Sequence, residues 1–280
     1  MRPEMAARPL HLFEAGVITE QRFAGLGEAP AVLGPLFAER FGADKRVRIP
    51  FNPRDRWLTA AREAYRTLAE GVLATLRSGA TCAVIGGECT LVAGTLSGAL
   101  TAEPEMHLLY FDAHGDFNTL ATTPSHYVSG MVLAHVCGRS IAPLLWPGSR
   151  KIAEERVALV GARSLDLGEM GNLERSRLTR IAFDKEHPGA EGLAAFARRK
   201  AIWIHVDLDV VDPTELPAVA LAAPGGPSLA ALREIIAAVA AVADVKGFEV
   251  CGYDARADPA EKFAGPIADA FAGIMARVAI

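Results

Sequence analysis

The chain has 280 residues and a formal net charge of −4, from 29 Lys and Arg against 33 Asp and Glu. This near balance excludes a strongly basic nucleic-acid-binding surface, and a hydrophobic fraction of 51% excludes a disordered chain. The four cysteines, Cys82, Cys89, Cys137 and Cys251, include no close pair, which excludes a zinc ribbon, a Cys-x-x-Cys redox motif and a disulfide framework. We therefore expect a reduced cytoplasmic protein whose cysteines are buried and inert.

The apolar segments are too short or too interrupted for a membrane protein. The N-terminal region has no apolar run long enough for a signal peptide. The longest apolar stretch, residues 228–245, is broken by Arg233, Glu234 and Asp244. We expect no contact with a membrane.

In chain order, helical and strand-like patterns alternate. Residues 16–57 are rich in Gly and Pro and predict irregular structure with a short helix. Helical periodicity predicts helices over 58–77, 191–200, 228–244 (with Ser228 as N-cap) and 264–280. Short apolar runs predict buried strands over 82–85, 107–111, 157–160, 180–183, 202–206 and 245–250. The alternation predicts one α/β domain over residues 1–280, with a mostly parallel sheet.

Acidic side chains follow two of these strands at unusual density. Asp112, His114 and Asp116 follow the second predicted strand, and Asp207 and Asp209 follow the fifth. Ligands of open parallel sheets bind at the carboxyl ends of the strands, and residues two apart in an extended segment share a face, so these groups should converge. Converging carboxylates repel unless a cation compensates, and carboxylate with imidazole suits Mn²⁺ or Zn²⁺. The pattern predicts a two-metal site able to hold a hydroxide. Loop solvation and helix capping are the alternative, which a second Asp-x-Asp motif makes less credible.

Three motifs make the sequence resemble the ureohydrolases, the family of arginase, agmatinase and formiminoglutamase. They are GGECT at 86–90, DAHGDFNT at 112–119 and DLDVVDP at 207–213, followed by APGG at 223–226. The resemblance spans roughly residues 80–260. It implies a three-layer α/β/α fold, two Mn²⁺ ions per chain, and a metal-dependent hydrolase of C–N bonds in linear amidines that uses a metal-bridging hydroxide.

The resemblance also implies a role for each matching acid. Asp112 and Asp207 would bridge the two ions. His114 and Asp209 would complete the shell of one ion. Asp116 would ligate the other ion and accept a hydrogen bond from the hydroxide.

Further matches concern the substrate. Glu249 on the last predicted strand would hold the guanidinium in a charge-assisted pair. The residues matching those that bind the α-carboxylate and α-amino groups are Asn118, Thr123 and Ser125, together with Asp166 and Glu169. Polar groups at such places favour an α-amino acid over agmatine, because an analogue lacking the group leaves them unpaired.

Two departures from the family pattern bear on the chemistry. Cys89 replaces a histidine ligand, so it either ligates as a softer thiolate that admits another divalent metal, or is an inert buried residue and one metal is lost. Ser129 replaces the arginase histidine thought to pass a proton to the leaving amine. His126 is either its substitute or a polar surface residue.

His205 shares a face with Asp207 by alternation, and it either orients a ligand carboxylate or packs as a strand histidine.

The expected function is hydrolysis of a guanidino, N-hydroxyguanidino or formimino amino acid, with release of urea or a related amide. Relatives with Cys and Ser at the two histidine positions resemble Nω-hydroxy-arginine hydrolases. The expected partner is this small molecule and no nucleic acid, with a homo-oligomer in keeping with the family. The alternative is a non-catalytic metal- or ligand-binding member of the fold.

Overall fold

The computed structural model describes residues 8–52, 57–139, 146 and 148–274. Its centre is an eight-stranded sheet in which the paired strands run parallel. The strands are β1 (Leu10–Ala15), β2 (Lys45–Arg48), β3 (Thr81–Gly86), β4 (His107–Phe111), β5 (Val157–Val160), β6 (Thr179–Ile181), β7 (Ala201–Asp207) and β8 (Asp244–Cys251). Across the sheet their order is β2-β1-β3-β8-β7-β4-β5-β6.

Helices cover both faces of the sheet. They are α1 (Ala24–Phe41), α2 (Trp57–Arg77), α3 (Val92–Ala102), α4 (Val132–Val136), α5 (Leu167–Glu174), α6 (Leu193–Ala197), α7 (Leu229–Val242) and α8 (Ala264–Ala270). Successive strand residues alternate between two apolar clusters, as the pleat requires: Leu12 packs in one with Phe37 of α1, and Phe13 in the other with Leu68 of α2. The predicted α/β/α fold with a parallel sheet is confirmed.

The six predicted strands are present with small shifts at their ends. The helix predicted over 228–244 begins at Leu229, and its N-cap is Ser228, whose side chain accepts a hydrogen bond from the backbone N–H of Ala231. The helix predicted over 191–200 is only Leu193–Ala197. The helix predicted over 264–280 covers Ala264–Ala270, and residues 275–280 lie outside the described part of the chain.

The prediction for residues 16–57 is wrong over most of its length. The 18-residue helix α1 occupies its middle, with Pro30 and Pro35 inside it, and β2 follows. β1, just before this region, was not predicted either. Burial of Leu33 and Phe37 against the sheet outweighs the low helix propensity of proline. Residues 53–56 of the predicted range lie outside the described part.

The strand order brings β3, β8, β7 and β4 together at the middle of the sheet. The segments that follow these strands carry the GGECT, DAHGDFNT and DLDVVDP motifs. Because all four strands are parallel, their carboxyl ends meet at one edge. Within the described residues, no helix is both long and apolar enough to cross a membrane.

Candidate metal centre

A cavity of about 300 Å³ opens at this edge of the sheet. The sequence-predicted site residues that line it are Cys89, Asp112, His114, Asp116, Asn118, Ser125, Ser129, Asp166, Glu169, Asp207 and Asp209. These side chains come from segments that follow β3, β4, β5 and β7. The fold therefore brings together residues that lie far apart in the sequence.

A tight turn directs the side chains of the first acidic motif toward the cavity. β4 ends at Phe111, and Asp112 Oδ1 accepts a hydrogen bond from the backbone N–H of His114 at 2.7 Å. The His114 Nδ1 atom lies 3.0 Å from Asp209 Oδ2 and 3.4 Å from Asp112 Oδ1. The side chains converge without the extended segment expected from the sequence, because Asp112 accepts a backbone N–H two residues further on and turns the chain.

The second acidic motif is built in the same way. β7 ends at Asp207, whose Oδ1 accepts the backbone N–H of Asp209 at 2.9 Å, and a 3-10 turn follows. Asp209 Oδ1 in turn accepts the backbone N–H of Ala113 at 3.1 Å. The Asp207 carboxylate thus stabilises the turn of its own motif, and the Asp209 carboxylate bonds the backbone of the first motif. Together these bonds fix the two motifs relative to each other.

Cys89 follows β3 in a short 3-10 turn and is buried. Its Sγ atom lies 2.9 Å from Asp207 Oδ2 and 3.8 Å from Asp112 Oδ2. Among the described residues, two sets of donor atoms spaced for a metal ion therefore share Asp112: Asp112, His114 and Asp209, and Cys89, Asp112 and Asp207.

The charges of this cluster fit a cation. Burial raises the pKa of Asp112 well above its ordinary value, and the nearby Asp209 carboxylate raises it further. Burial and Asp209 together raise the pKa of Asp207 to about 6. Burial opposes the charge on His114, but hydrogen bonds to Asp112 and Asp209 raise its pKa overall. Converging acids of this kind, with an imidazole among them, are the donor chemistry of Mn²⁺ and Zn²⁺.

Asp116 faces the cavity but belongs to neither of these donor sets. Its backbone has a left-handed φ of 48°, and the Tyr110 hydroxyl donates a hydrogen bond to its Oδ2 at 2.6 Å. Burial and the Asp112 charge raise the pKa of Asp116 well above its ordinary value. Tyr110 also stacks on the His205 ring, with centroids 4.1 Å apart and planes 6° from parallel.

Two predicted substrate residues also cap a helix. Asp166 and Glu169 form a capping box at the start of α5, and Glu169 accepts the backbone N–H of Phe117 at 2.8 Å. Asn118 Nδ2 donates to Asp166 Oδ2 at 2.8 Å. These bonds fix the wall of the cavity that follows β4 to the wall that follows β5.

Three predicted site residues do not line the described cavity. Thr123 is buried, and its Oγ1 accepts the backbone N–H of His126, which is exposed. Glu249 is buried within the fold, where its Oε2 accepts a hydrogen bond from Thr95 at 2.8 Å and its Oε1 lies 2.9 Å from His205 Nδ1. Its position does not fit guanidinium binding, because the carboxylate is buried away from the cavity and already bonded to Thr95 and His205.

The chain beside Glu249 and the GGECT motif holds residues that the sequence interpretation missed. Gly252, directly after β8, lines the cavity but has no side chain with which to contact a substrate. Glu88 and Tyr127 also line it, joined by a hydrogen bond of 2.9 Å from the Tyr127 hydroxyl. Because Glu88 directly precedes Cys89 in the GGECT motif, the sequence could have indicated that it lines the cavity. Nothing in the sequence indicates this for Tyr127 or Gly252.

The architecture of the whole chain matches a known class of α/β proteins. The crystal structure of arginase from Bacillus cereus superposes with a TM-score of 0.85 and 22% identity, over 96% of this chain and 98% of that one. At this identity the likeness establishes the fold, a parallel sheet between helical layers.

Sequence comparison then identifies the family. The Arginase family profile matches residues 28–277. The N(omega)-hydroxy-L-arginine amidinohydrolase of Streptomyces lavendulae is 30% identical over 212 residues, which are 73% of each chain. An arginase of Bacillus caldovelox is 32% identical over 202 residues, 66% of this chain and 65% of that one. The chain belongs to the arginase family, and thereby to the metal-dependent amidinohydrolases.

Proposed function

We propose that this protein hydrolyses a guanidino or N-hydroxyguanidino amino acid with the help of two divalent cations. The observation that carries the proposal is the sharing of Asp112 between two sets of donor atoms on the wall of one cavity. A carboxylate shared in this way can hold two ions side by side. Formimino amino acids belong to the same chemical class and are included in the test.

The residues present fit two ions. Asp112, His114 and Asp209 would hold one, and their oxygen and imidazole donors suit Mn²⁺. Cys89 with Asp112 and Asp207 would hold the other, and the sulfur donor admits a softer divalent metal. Bound cations of this kind lower the pKa of water and so supply a nucleophile at neutral pH.

The charge of the cavity supports a cationic substrate. Seven carboxylates line it: Glu88, Asp112, Asp116, Asp166, Glu169, Asp207 and Asp209. No Lys or Arg lines it in the described part of the chain. An excess of acids, even with two divalent ions, attracts a guanidinium group. The Ser125 hydroxyl and the Asn118 amide offer hydrogen bonds to the amino-acid end.

Asp116 and Ser129 bear on the proton balance of the reaction. Asp116 is held by Tyr110 and has a raised pKa, so its carboxyl group is suited to carry a proton at the cavity wall. Ser129 cannot exchange a proton at neutral pH. A less basic N-hydroxyguanidine is hydrogen-bonded differently from a guanidine, which favours Nω-hydroxyarginine over arginine.

The test is turnover of a substrate panel with metal content measured in parallel. Arginine, Nω-hydroxyarginine, agmatine, guanidinobutyrate and formiminoglutamate would each be incubated with Mn²⁺-loaded protein. We expect the highest kcat/KM with Nω-hydroxyarginine. Absence of turnover with all five compounds, in protein shown to hold its ions, would contradict the proposal.

A second candidate function is binding without catalysis. Glu249 and Ser129 favour it, because the expected guanidinium-binding acid does not line the cavity and Ser129 cannot exchange a proton at neutral pH. A ligand from the panel that raises the melting temperature of the metal-loaded protein without being consumed would support this function. Hydrolysis of the same ligand would exclude it.

A further inference from the structure

A second group of metal-binding side chains lies next to the acids, and two of its three members have no role in the proposed reaction. It consists of Cys89, Cys251 and His205, all three buried, whose ligand atoms lie within 4.8 Å of one another. We call it the thiol group. Cys251 is the last residue of β8, and His205 lies inside β7, the neighbouring strand. Of the three residues, only Cys89 lines the cavity.

Two distances within the thiol group match those of a tetrahedral metal site. Cys89 Sγ and Cys251 Sγ are 3.6 Å apart, and Cys251 Sγ is 3.6 Å from His205 Nε2. Bonds of about 2.3 Å to sulfur and about 2.0 Å to nitrogen place neighbouring ligands of a tetrahedral zinc ion about 3.5 to 3.8 Å apart. The observed spacing needs little adjustment to accept such an ion. Asp207, with Oδ2 2.9 Å from Cys89 Sγ, is within reach as a fourth ligand.

The surroundings of His205 orient it as a metal ligand. Its Nδ1 lies 2.9 Å from Glu249 Oε1, and the same carboxylate accepts hydrogen bonds from Trp203 Nε1 at 3.2 Å and Thr95 Oγ1 at 2.8 Å. A proton on Nδ1 directed at Glu249 leaves the lone pair of Nε2 facing Cys251. A carboxylate behind a histidine is the usual support of a zinc ligand, because it fixes the tautomer and the ring orientation.

Burial also distinguishes this arrangement from ordinary packing. Glu249 is 1% exposed and His205 is 0% exposed. Burying a carboxylate and an imidazole costs free energy that replacement by apolar residues would avoid. A cation next to two thiols and an imidazole gives that buried acid a function, because it supports the ligand that the ion needs.

We propose that Cys89, Cys251 and His205, with Asp207, bind one thiophilic divalent cation of the Zn²⁺ type, positioned by Glu249 through His205. Thiolate and imidazole donors select zinc over manganese, whereas Asp112, His114 and Asp209 select manganese. Because Cys89 and Asp207 belong to both donor sets, this cation would be the second ion of the proposed centre, which would then hold two different metals. The inference deepens the proposed two-ion centre, but its test reads metal binding and needs no turnover.

The experiment uses Co²⁺ as a spectroscopic stand-in for Zn²⁺. Reduced, metal-free protein is titrated with Co²⁺, and the thiolate-to-cobalt charge-transfer absorption is followed, with Zn²⁺ competition giving the zinc affinity. Wild-type protein and Cys137→Ser should show the same strong band, since Cys137 lies outside the thiol group. Cys251→Ser should lose about half of the band. Its zinc affinity should fall by at least about tenfold, as should that of Glu249→Gln, through the lost support of His205.

Several outcomes would overturn the inference. One is the absence of a charge-transfer band in folded, reduced wild-type protein, a result that does not depend on any variant folding. Another is a band of equal intensity in folded Cys251→Ser. The third has two parts: the protein loses two free thiols in air and regains them with a reductant, and the reduced protein then shows no cobalt band. That result would identify Cys89 and Cys251 as a redox pair. Failure of the substrate panel alone would leave the metal result standing.

Discussion

The acidic group of Asp112, His114 and Asp209 and the thiol group lie at one edge of the sheet but are built differently. The acidic ligands follow the ends of their strands in tight turns, and the His114 side chain is 26% exposed. His205 and Cys251 belong to the strands themselves, and the His205 side chain is 1% exposed. The difference in exposure comes from His114, since Asp112 and Asp209 are buried as His205 and Cys251 are. An ion held by the acidic group would therefore have one ligand open to solvent, whereas an ion held by the thiol group would have only buried ligands.

The largest effect should come from removing the shared carboxylate. Asp112→Asn should lower hydrolysis by roughly a thousandfold or more, because metal ions contribute several kcal/mol to catalysis of this type. Mn²⁺ binding should be lost in equilibrium dialysis, while the cobalt band of the thiol group should remain. Glu63→Gln, an exposed acid on α2, is the charge-matched control. Retained Mn²⁺ binding in Asp112→Asn would show that the acidic group is not the manganese site.

Gly252→Ala should weaken both groups at once. A Cβ atom at Gly252 would lie 2.1 Å from Asp207 Oδ1, so the carboxylate must move. Because Asp207 lies next to Cys89 and its Oδ1 also accepts the backbone N–H of Asp209, we expect affinity for both cations to fall by at least about tenfold.

Gly79→Ala provides the matched control for that change. Gly79 has a φ of 81°, close to the 84° of Gly252, but nothing lies within 4 Å of its added Cβ. Both variants should lose about 1–2 kcal/mol of unfolding free energy from the left-handed backbone. Only Gly252→Ala should lose metal, and equal metal affinities in the two variants would refute the role given to Asp207.

Cys89→His should change the preference of the centre with a smaller effect on its occupancy. Replacing one thiol by imidazole should shift the ratio of zinc to manganese affinity toward manganese by about tenfold, because the donor set becomes harder. Combined with Ser129→His, it should also raise arginine hydrolysis. The comparison is made by competition dialysis and by urea release. An unchanged affinity ratio would indicate that Cys89 is not a ligand.

The smallest effect should come from Asp212, which follows the acidic group without belonging to it. Its carboxylate accepts the backbone N–H groups of Thr214 at 3.0 Å and Gly225 at 2.8 Å, and Lys185 lies 3.0 Å away. These contacts, led by the Thr214 and Lys185 side chains, hold the pKa of Asp212 below its ordinary 3.8. Asp212→Asn should lower the melting temperature modestly at neutral pH.

The pH dependence gives the sign of this effect. A depressed pKa stabilises the fold above the unfolded value of 3.8, and the stabilisation is lost as pH falls through the lower folded value. The difference in melting temperature between wild type and Asp212→Asn should therefore be constant above about pH 5 and shrink below 3.8. A difference that grows on acidification would contradict the assignment.

The sequence predicted the sheet and the acidic group well, for a physical reason. Buried parallel strands are short apolar runs, and the polar residues that end them must meet at one edge. The proximity of Asp112 and Asp209 could therefore be predicted from the sequence alone. Helix α1 could not be predicted, because its two prolines are tolerated only through packing of Leu33 and Phe37 on the sheet.

The thiol group depends on strand register, which the sequence does not show. Asp207 of β7 pairs with Cys251 of β8, and His205 pairs with Glu249. Without that pairing, Cys251 reads as an inert strand cysteine and Glu249 as an acid at a strand end. Composition therefore described Cys82 and Cys251 alike, although only Cys251 lies next to Cys89.

Tyr110 connects the thiol group to Asp116, a cavity residue that belongs to neither group. One face of its ring lies on His205, and its hydroxyl holds Asp116 at the cavity. A shift of the His205 ring on loading or loss of its ion would carry the phenol with it and so move the Asp116 carboxyl group. Binding of an ion at the buried thiol group would then change the position of a carboxyl group at the cavity, through the single aromatic ring of Tyr110.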